Sequence, residues 1–259
     1  MPVHLNVELT DRCNLRCRMC GQSQRPQGHG GPGSDMDEAT WLAALEGLAG
    51  MPEEVHLCPH WLGEPTLHPA FDRLVALAFE RNAGNRLFRT FKLHTNGILL
   101  GPDRARLLLD LAGRPDQAPD TFRAVHFSLD AWSRTVYREV KGADLQPRAA
   151  RHVRGFLEAR ERTGRAFPRV HLAFVVQEGN AGDAAAFVRG WGALLDRLGR
   201  PWELTPGWPG DDRDAIYLRP LNGADPVGAG ALHAATWAAL RAAWGLPPEP
   251  PPTRAPEAF

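Results

Sequence analysis

Cys13-Asn14-Leu15-Arg16-Cys17-Arg18-Met19-Cys20 holds three of the four cysteines of the 259-residue chain, separated by three and then two residues. It closely follows an alternating stretch, Val3 to Leu9, that predicts a β-strand. Three thiolates this close together favour one soft-metal centre, which could be an iron–sulfur cluster, zinc or copper(I). Three protein ligands on a cube-shaped iron–sulfur cluster leave one iron open. The stretch therefore predicts a metal centre with an open position in the loop after the first strand.

A structural zinc site is the alternative for this loop. Zinc usually takes four protein ligands in a closed site, so Cys58 or a histidine would have to join the three local cysteines. Cys58 lies within a predicted strand, where a buried free thiol is the simpler interpretation. Three ligands fit an iron–sulfur cluster with one open iron directly.

The composition bounds the class of protein. The chain has 30 Lys and Arg against 30 Asp and Glu, which argues against nucleic-acid binding through a broad basic face. Four cysteines in a chain of this length are not a disulfide framework, and a thiolate cluster implies a reducing compartment. The sequence has neither a signal-peptide pattern nor an apolar run of about 18 residues. We therefore expect a soluble, cytoplasmic protein without a membrane segment.

The rest of the chain alternates short apolar runs with longer helical patterns. Repeated strand–helix units imply parallel strands joined by right-handed crossovers. The predicted fold is therefore α/β, a partial (β/α)6 TIM-like barrel over residues 1–221 with a short helical and proline-rich extension over residues 222–259. The predicted strands are 3–9, 55–58, 88–94, 124–129, 170–177 and 216–218.

Polar motifs follow three of these strands. They are Gly63-Glu64-Pro65, Thr95-Asn96-Gly97, and the pair Ser128 and Asp130. Since the C-terminal ends of parallel strands share one rim, where sites of such folds are built, we expect these motifs to join the cysteines in one site. Taken singly, each has a simpler interpretation: Glu64 as a helix cap or solvated residue, Asn96-Gly97 as a turn, and Ser128 and Asp130 as helix caps.

In this order the motifs resemble those of the radical S-adenosylmethionine (SAM) superfamily, over roughly residues 3–221. The three cysteines resemble its cluster motif, and Gly63-Glu64-Pro65 resembles the motif that binds the amino group of SAM. Thr95-Asn96-Gly97 is similar to a recurrent segment beside the cofactor. Two positions depart from the common pattern: Met19 precedes the last cysteine where an aromatic residue is frequent, and Leu62 stands where a second glycine is frequent.

The resemblance implies two cofactors and a set of residues for each. A 4Fe-4S cluster would be ligated by Cys13, Cys17 and Cys20. The amino group of SAM would bind near Glu64, its adenine near the backbone of Met19, and its carboxylate or ribose near Ser128 and Asp130. The full set of implied cofactor-binding residues is Met19, Gly63, Glu64, Pro65, Thr95, Asn96, Ser128 and Asp130.

The resemblance also implies a reaction. Such an enzyme, an oxidoreductase, cleaves SAM reductively to a 5′-deoxyadenosyl radical that abstracts hydrogen from a substrate, here expected to be a peptide or a small polar metabolite. Its reductant would be of the flavodoxin or ferredoxin type. The alternative is a non-catalytic iron–sulfur or electron-transfer protein on the same fold.

Further motifs resemble the branch of the superfamily with a C-terminal auxiliary-cluster (SPASM or twitch) domain. They are Leu67-His68-Pro69, Ser128-Leu129-Asp130-Ala131, Tyr137 and Lys141-Gly142. No cysteine follows Cys58, so we expect the chain either to be truncated or to have lost auxiliary clusters. His60 and Trp61 either face the substrate or pack, and Arg219 is either a carboxylate clamp or a surface residue.

Overall fold

The computed structural model describes residues 2–23, 34–223 and 225–245. Within them, strands and helices alternate along almost the whole chain, as predicted. The strands are β1 (Val3–Asn6), β2 (Val55–Cys58), β3 (Thr90–Thr95), β4 (Phe122–Ser128), β5 (Arg169–Val176), β6 (Trp202–Thr205) and β7 (Asp214–Pro220). The helices are α1 (Glu38–Glu46), α2 (Phe71–Arg81), α3 (Pro102–Ala112), α4 (Arg134–Lys141), α5 (Gln146–Thr163), α6 (Ala184–Arg197) and α7 (Pro226–Trp244).

All seven strands form one parallel sheet in the order β1-β2-β3-β4-β5-β7-β6. The predicted α/β class with parallel strands is therefore confirmed. The predicted number of six strands is wrong, because Trp202–Thr205 adds an edge strand beside β7. Four residues followed directly by Pro206 and Gly207 carry too short a pattern to be recognised as a strand.

The two faces of the sheet differ in chemistry because successive strand residues point to opposite sides. The outer face is apolar and packs on helices. Phe127 of β4, for example, meets Phe156 of α5 with ring centroids 5.8 Å apart. The inner face instead carries a row of three histidines at one register level, His94, His126 and His171. Their rings stack or meet edge to face at 4.2 and 4.5 Å.

The connection between β6 and β7, residues 206–213, has no helix and crosses this inner face. Its Trp208 lies against His126 and Tyr217, and its Asp211 pairs with Lys92 of β3 at 2.8 Å. The barrel interior below the C-terminal rim is thus filled by polar and aromatic side chains.

The C-terminal helix α7 packs against β5, β7 and α6. It begins at Pro226, capped by Asp225, four residues before the predicted start, and buries Trp237 and Leu240. The predicted boundary at residue 221 stays a prediction, although α7 continues the strand–helix alternation. The predicted proline-rich segment, residues 247–256, lies outside the described residues. None of the described helices combines the length and apolar character that a membrane span requires.

Candidate active site at the C-terminal rim

The cysteine loop lies at the rim, after β1. Cys13, Cys17 and Cys20 are free, half-buried thiols, and the loop is anchored in the core by Leu15, which is 2% exposed. Burial raises the pKa of Cys13 to about 12 and also raises that of Cys17. Cys13 and Cys17 are therefore protonated near neutral pH, and binding of a metal would displace those protons.

The three thiols suit a cluster better than a single ion. Among the described residues, no group of three or more His, Cys, Asp or Glu side chains is placed to hold one metal ion. In a 4Fe-4S cube each thiolate binds a different iron, so its sulfur ligands are spread more widely. The donor set of three loop thiols fits such a cluster.

The turn that carries Glu64 is joined to the cysteine loop through the backbone. The Glu64 N–H donates to the carbonyl oxygen of Arg12 at 2.8 Å. Glu8 accepts from the N–H groups of Leu62 and Gly63 at 2.7 and 2.6 Å. A Cβ atom at Gly63 would lie 1.9 Å from the carbonyl oxygen of Thr10. Only glycine permits this approach, which explains the residue type independently of any motif.

The carboxylate of Glu64 is buried and oriented by neighbouring groups. One oxygen, Oε1, accepts from the backbone and hydroxyl of Thr66 and from the Thr95 hydroxyl. The other, Oε2, has one donor among the described residues, the Asn96 N–H at 2.7 Å, so it retains capacity for another donor. Burial raises the pKa of Glu64, although these hydrogen bonds oppose the shift. Pro65 begins the 3₁₀ turn Pro65–Leu67 and fixes its backbone.

Thr95-Asn96-Gly97 connects this carboxylate to the cysteine loop. The Asn96 side-chain amide donates to the side-chain oxygen of Asn14 at 2.7 Å. Asn14 lies between Cys13 and Cys17 in the sequence. Its own oxygen accepts from the Ile98 N–H at 3.0 Å. Gly97 adopts a φ of +76°, which suits glycine. The segment thus forms the predicted turn, and its position beside SAM stays a prediction.

Ser128 and Asp130 end β4 in different environments. Ser128 is half-buried on the inner face, opposite Ala173 of β5. Asp130 is fully buried, with one carboxylate oxygen accepting from the Val175 N–H at 2.7 Å and the other from the ammonium group of Lys141. The sequence does not predict this buried ion pair. The contacts of Ser128 and Asp130 with SAM stay predictions.

Met19 borders a cavity of about 660 Å³ between the cysteine loop and the C-terminal ends of β5 and β7. Its sulfur accepts a hydrogen bond from the Gln177 side chain at 3.2 Å. The walls include Val176, Gln177, Leu221, and Gly228 and Leu232 of α7. Residues beyond the predicted core boundary thus contribute to this cavity.

Three features of the structure are not predicted by the sequence motifs: the buried pairing of Lys141 with Asp130, the histidine row and the position of Trp208. The histidine row has a readable signal, since His94, His126 and His171 each occupy an inward position of an alternating strand. Trp208 lies in an irregular segment without a signal, and Arg219 of β7 lies over its ring, with its guanidinium carbon 5.5 Å from the ring centroid.

Comparison with known proteins decides the family. The family model of the Radical SAM superfamily matches residues 7–169, more than half of the chain. The chain belongs to the radical SAM superfamily. A radical SAM protein uses a 4Fe-4S cluster and SAM, and these cofactors are expected at the three cysteines and at the Glu64 turn.

Curated relatives of this radical SAM chain include two longer proteins. One is the tungsten-containing aldehyde ferredoxin oxidoreductase cofactor-modifying protein of Pyrococcus furiosus, 29% identical over 68% of this chain and 44% of the relative. The other is the mycofactocin maturase MftC of Mycobacterium ulcerans, 28% identical over 79% of this chain and 47% of the relative. The chain therefore spans less than half the length of these relatives.

A solved structure supports the fold. Native anSMEcpe with bound AdoMet and Cp18Cys peptide superposes with a TM-score of 0.55 at 18% identity. The match covers 85% of this chain and 51% of that chain. At this level of identity the likeness shows the fold alone.

Proposed function

We propose that this chain is a radical SAM enzyme in which a 4Fe-4S cluster cleaves SAM to a 5′-deoxyadenosyl radical that abstracts hydrogen from a substrate. The observation that carries the proposal is the direct joining of the Glu64 turn to the cysteine loop. The Glu64 N–H to Arg12 carbonyl bond and the Asn96 to Asn14 bond bring a buried carboxylate beside three free thiols. An isolated cluster-binding loop has no need of such a carboxylate.

Each residue of the site has a distinct task in this proposal. Cys13, Cys17 and Cys20 hold the cluster and leave one iron for SAM. Glu64 accepts from the amino group of SAM through Oε2, the oxygen that has one donor within the described part of the chain. Thr95 and Asn96 keep that carboxylate in place through the hydrogen bonds described above, so little reorganisation accompanies binding.

The cavity beside Met19 supports the proposed site of the adenosyl group. It adjoins the cysteine loop at the C-terminal rim and its volume of about 660 Å³ suits a ligand of that size. Gln177 and Glu178 supply polar groups, and Val176, Leu221 and Leu232 supply apolar surface. Mixed walls of this kind suit a purine base and a ribose.

The proposed substrate is a peptide or a small polar metabolite that binds over the inner face of the sheet. Two tryptophans are available to contact it: Trp61 is 61% exposed and Trp208 is 53% exposed. His60 stacks on His94 of the inner face with ring centroids 5.4 Å apart. Arg219 makes no ion pair among the described residues and lies over Trp208, so it is suited to clamp a carboxylate. Two similar proteins have names that mention maturation or a bound peptide, which favours the peptide.

An external one-electron donor of the flavodoxin or ferredoxin type is part of the proposal. The sequence has one cysteine, Cys58, outside the cluster loop. Reductive cleavage of SAM consumes one electron, which such a donor would supply to the cluster.

Release of 5′-deoxyadenosine tests the proposed function. The protein is reconstituted anaerobically with iron and sulfide, reduced with dithionite and incubated with SAM, and the product is quantified by liquid chromatography. We expect the wild-type protein to release 5′-deoxyadenosine. We expect Glu64→Gln to bind the same amount of iron but to release at least about tenfold less product, because loss of one charge-assisted hydrogen bond costs about 1.5–3 kcal/mol.

Glu80→Gln is the matched control, since Glu80 lies on the solvent side of α2 with its side chain 47% exposed. It should leave both iron content and product unchanged. A wild-type protein that binds the cluster but releases no 5′-deoxyadenosine would contradict the proposal and favour an electron-transfer protein.

A further inference from the structure

The C-terminal turn of α4 forms hydrogen bonds with the cysteine loop on both sides of Cys17. The Arg16 N–H donates to the carbonyl oxygen of Lys141 at 3.1 Å, and the Arg18 N–H donates to that of Val140 at 2.9 Å. These carbonyls belong to a helix end, where they have no partner within the helix. Gly142 then ends α4 with a φ of +72°, and a Cβ atom there would lie 2.5 Å from the Arg16 carbonyl oxygen. The position of α4 relative to Cys17 is therefore fixed.

The same turn supplies a buried charge. The Lys141 ammonium pairs with Asp130, and their side chains are 2% and 0% exposed. Burial by itself lowers the pKa of a lysine, but the carboxylate of Asp130 outweighs burial and the pKa of Lys141 is raised. Lys141 is therefore a full positive charge in a site from which water is excluded, where charges act over longer distances than at the surface.

The two members of the pair are held by different parts of the site. Lys141 belongs to the turn that binds the N–H groups on both sides of Cys17. Asp130 holds the ammonium from the far side through a backbone conformation with φ of +58°, and its other oxygen accepts from the Val175 N–H.

We propose that Lys141 is a positioning residue that raises the reduction potential of the cluster bound by Cys13, Cys17 and Cys20, and that Asp130 opposes it. The inference rests on the proposed site of the cluster but not on cleavage of SAM. Reduction adds one electron from an external donor to the buried cluster, with no change in its protein ligands. A nearby positive charge stabilises the added negative charge, whereas a negative charge destabilises it.

The test is a redox titration of the reconstituted holoprotein without SAM, followed by electron paramagnetic resonance (EPR) of the reduced cluster. Lys141→Met should lower the midpoint potential, and Asp130→Asn should raise it. Asn suits the left-handed backbone at position 130. We expect the reduced-to-oxidised ratio at the wild-type midpoint to fall at least tenfold in Lys141→Met, which is a shift of 59 mV for one electron.

Two further variants separate charge from folding. Lys141→Arg keeps the charge and should keep the potential close to that of the wild type. The double variant Asp130→Asn/Lys141→Met leaves no unpaired buried charge, so it should fold if Lys141→Met does not. Its potential should lie between those of the two single variants, because the two charges that it removes act with opposite sign.

Shifts of the same sign in the two single variants, or no shift in any variant, would overturn the inference while leaving the proposed function intact. A wild-type protein that binds no iron–sulfur cluster would overturn both.

Discussion

Gly63 is the residue at which two motifs meet, since any side chain there would overlap the Thr10 carbonyl. The neighbouring hydrogen bonds, from the Glu64 N–H to the Arg12 carbonyl and from the Gly63 N–H to the Glu8 carboxylate, leave little room to adjust. The requirement for glycine is therefore steric and independent of whether SAM is bound. A motif that looks like a ligand signature is here also a packing constraint.

We expect Gly63→Ala to destabilise the apoprotein by about 1–3 kcal/mol or more, because the loop and turn must separate. Its cluster content after reconstitution should fall as well. Gly155→Ala is the control: Gly155 lies within α5, and a Cβ atom there meets nothing within 4 Å. This variant should raise the free energy of unfolding by about 0.5–1 kcal/mol. Urea unfolding measures both, and equal effects at the two positions would contradict the steric account.

At the scale of elements, a buried ion pair fastens α5 to β7. Arg160 donates from both terminal nitrogens to Asp214, at 2.7 and 2.6 Å, and both side chains are 1% exposed. Asp214 also accepts from the Val170 N–H of β5 at 2.9 Å. One carboxylate thus joins a helix to two neighbouring strands at the end of the sheet opposite the site.

Arg160→Met should cost about 3–5 kcal/mol in the free energy of unfolding, since it leaves Asp214 buried and unpaired. Arg134 and Asp144 offer a control of the same bidentate geometry, with both distances 2.7 Å, on the surface. Arg134→Met should have no measurable effect, because exposed pairs contribute little. Similar losses in the two variants would show that burial is not the deciding factor.

At the scale of the whole molecule, the buried histidines link stability to pH. Burial lowers the pKa of His171 to about 4 and holds that of His126 well below its usual value. Below about pH 6.5 the unfolded chain therefore binds more protons at these positions than the native state does, and stability falls as the pH falls.

Between pH 7 and pH 5, His171 alone should cost the apoprotein roughly 2 kcal/mol in the free energy of unfolding. The measurement is urea unfolding at both pH values. In His171→Gln the decrease should be smaller than in the wild type by about that amount. An identical decrease in the two proteins would contradict the assignment of a neutral, buried His171.

The sequence predicts those parts of this molecule whose structure depends on residues close together in the chain. The strands β2 and β5 have apolar runs of ordinary length, and the cysteine and Glu64 motifs follow strands. The edge strand β6 and the crossing segment with Trp208 obey no local pattern, because only contacts with distant strands stabilise them. The Asp130–Lys141 pair also cannot be predicted from a local pattern. The two residues are eleven positions apart and meet only because α4 folds back on the rim.

The central claim is that the loop of Cys13, Cys17 and Cys20 holds a cluster with one iron open to SAM. EPR of the reduced, reconstituted protein, recorded before and after addition of SAM, tests it most directly. We predict about four irons per chain and a change of the cluster signal on addition of SAM, which Glu64→Gln weakens. A signal that SAM leaves unchanged, or a protein that binds zinc without sulfide, would contradict the account.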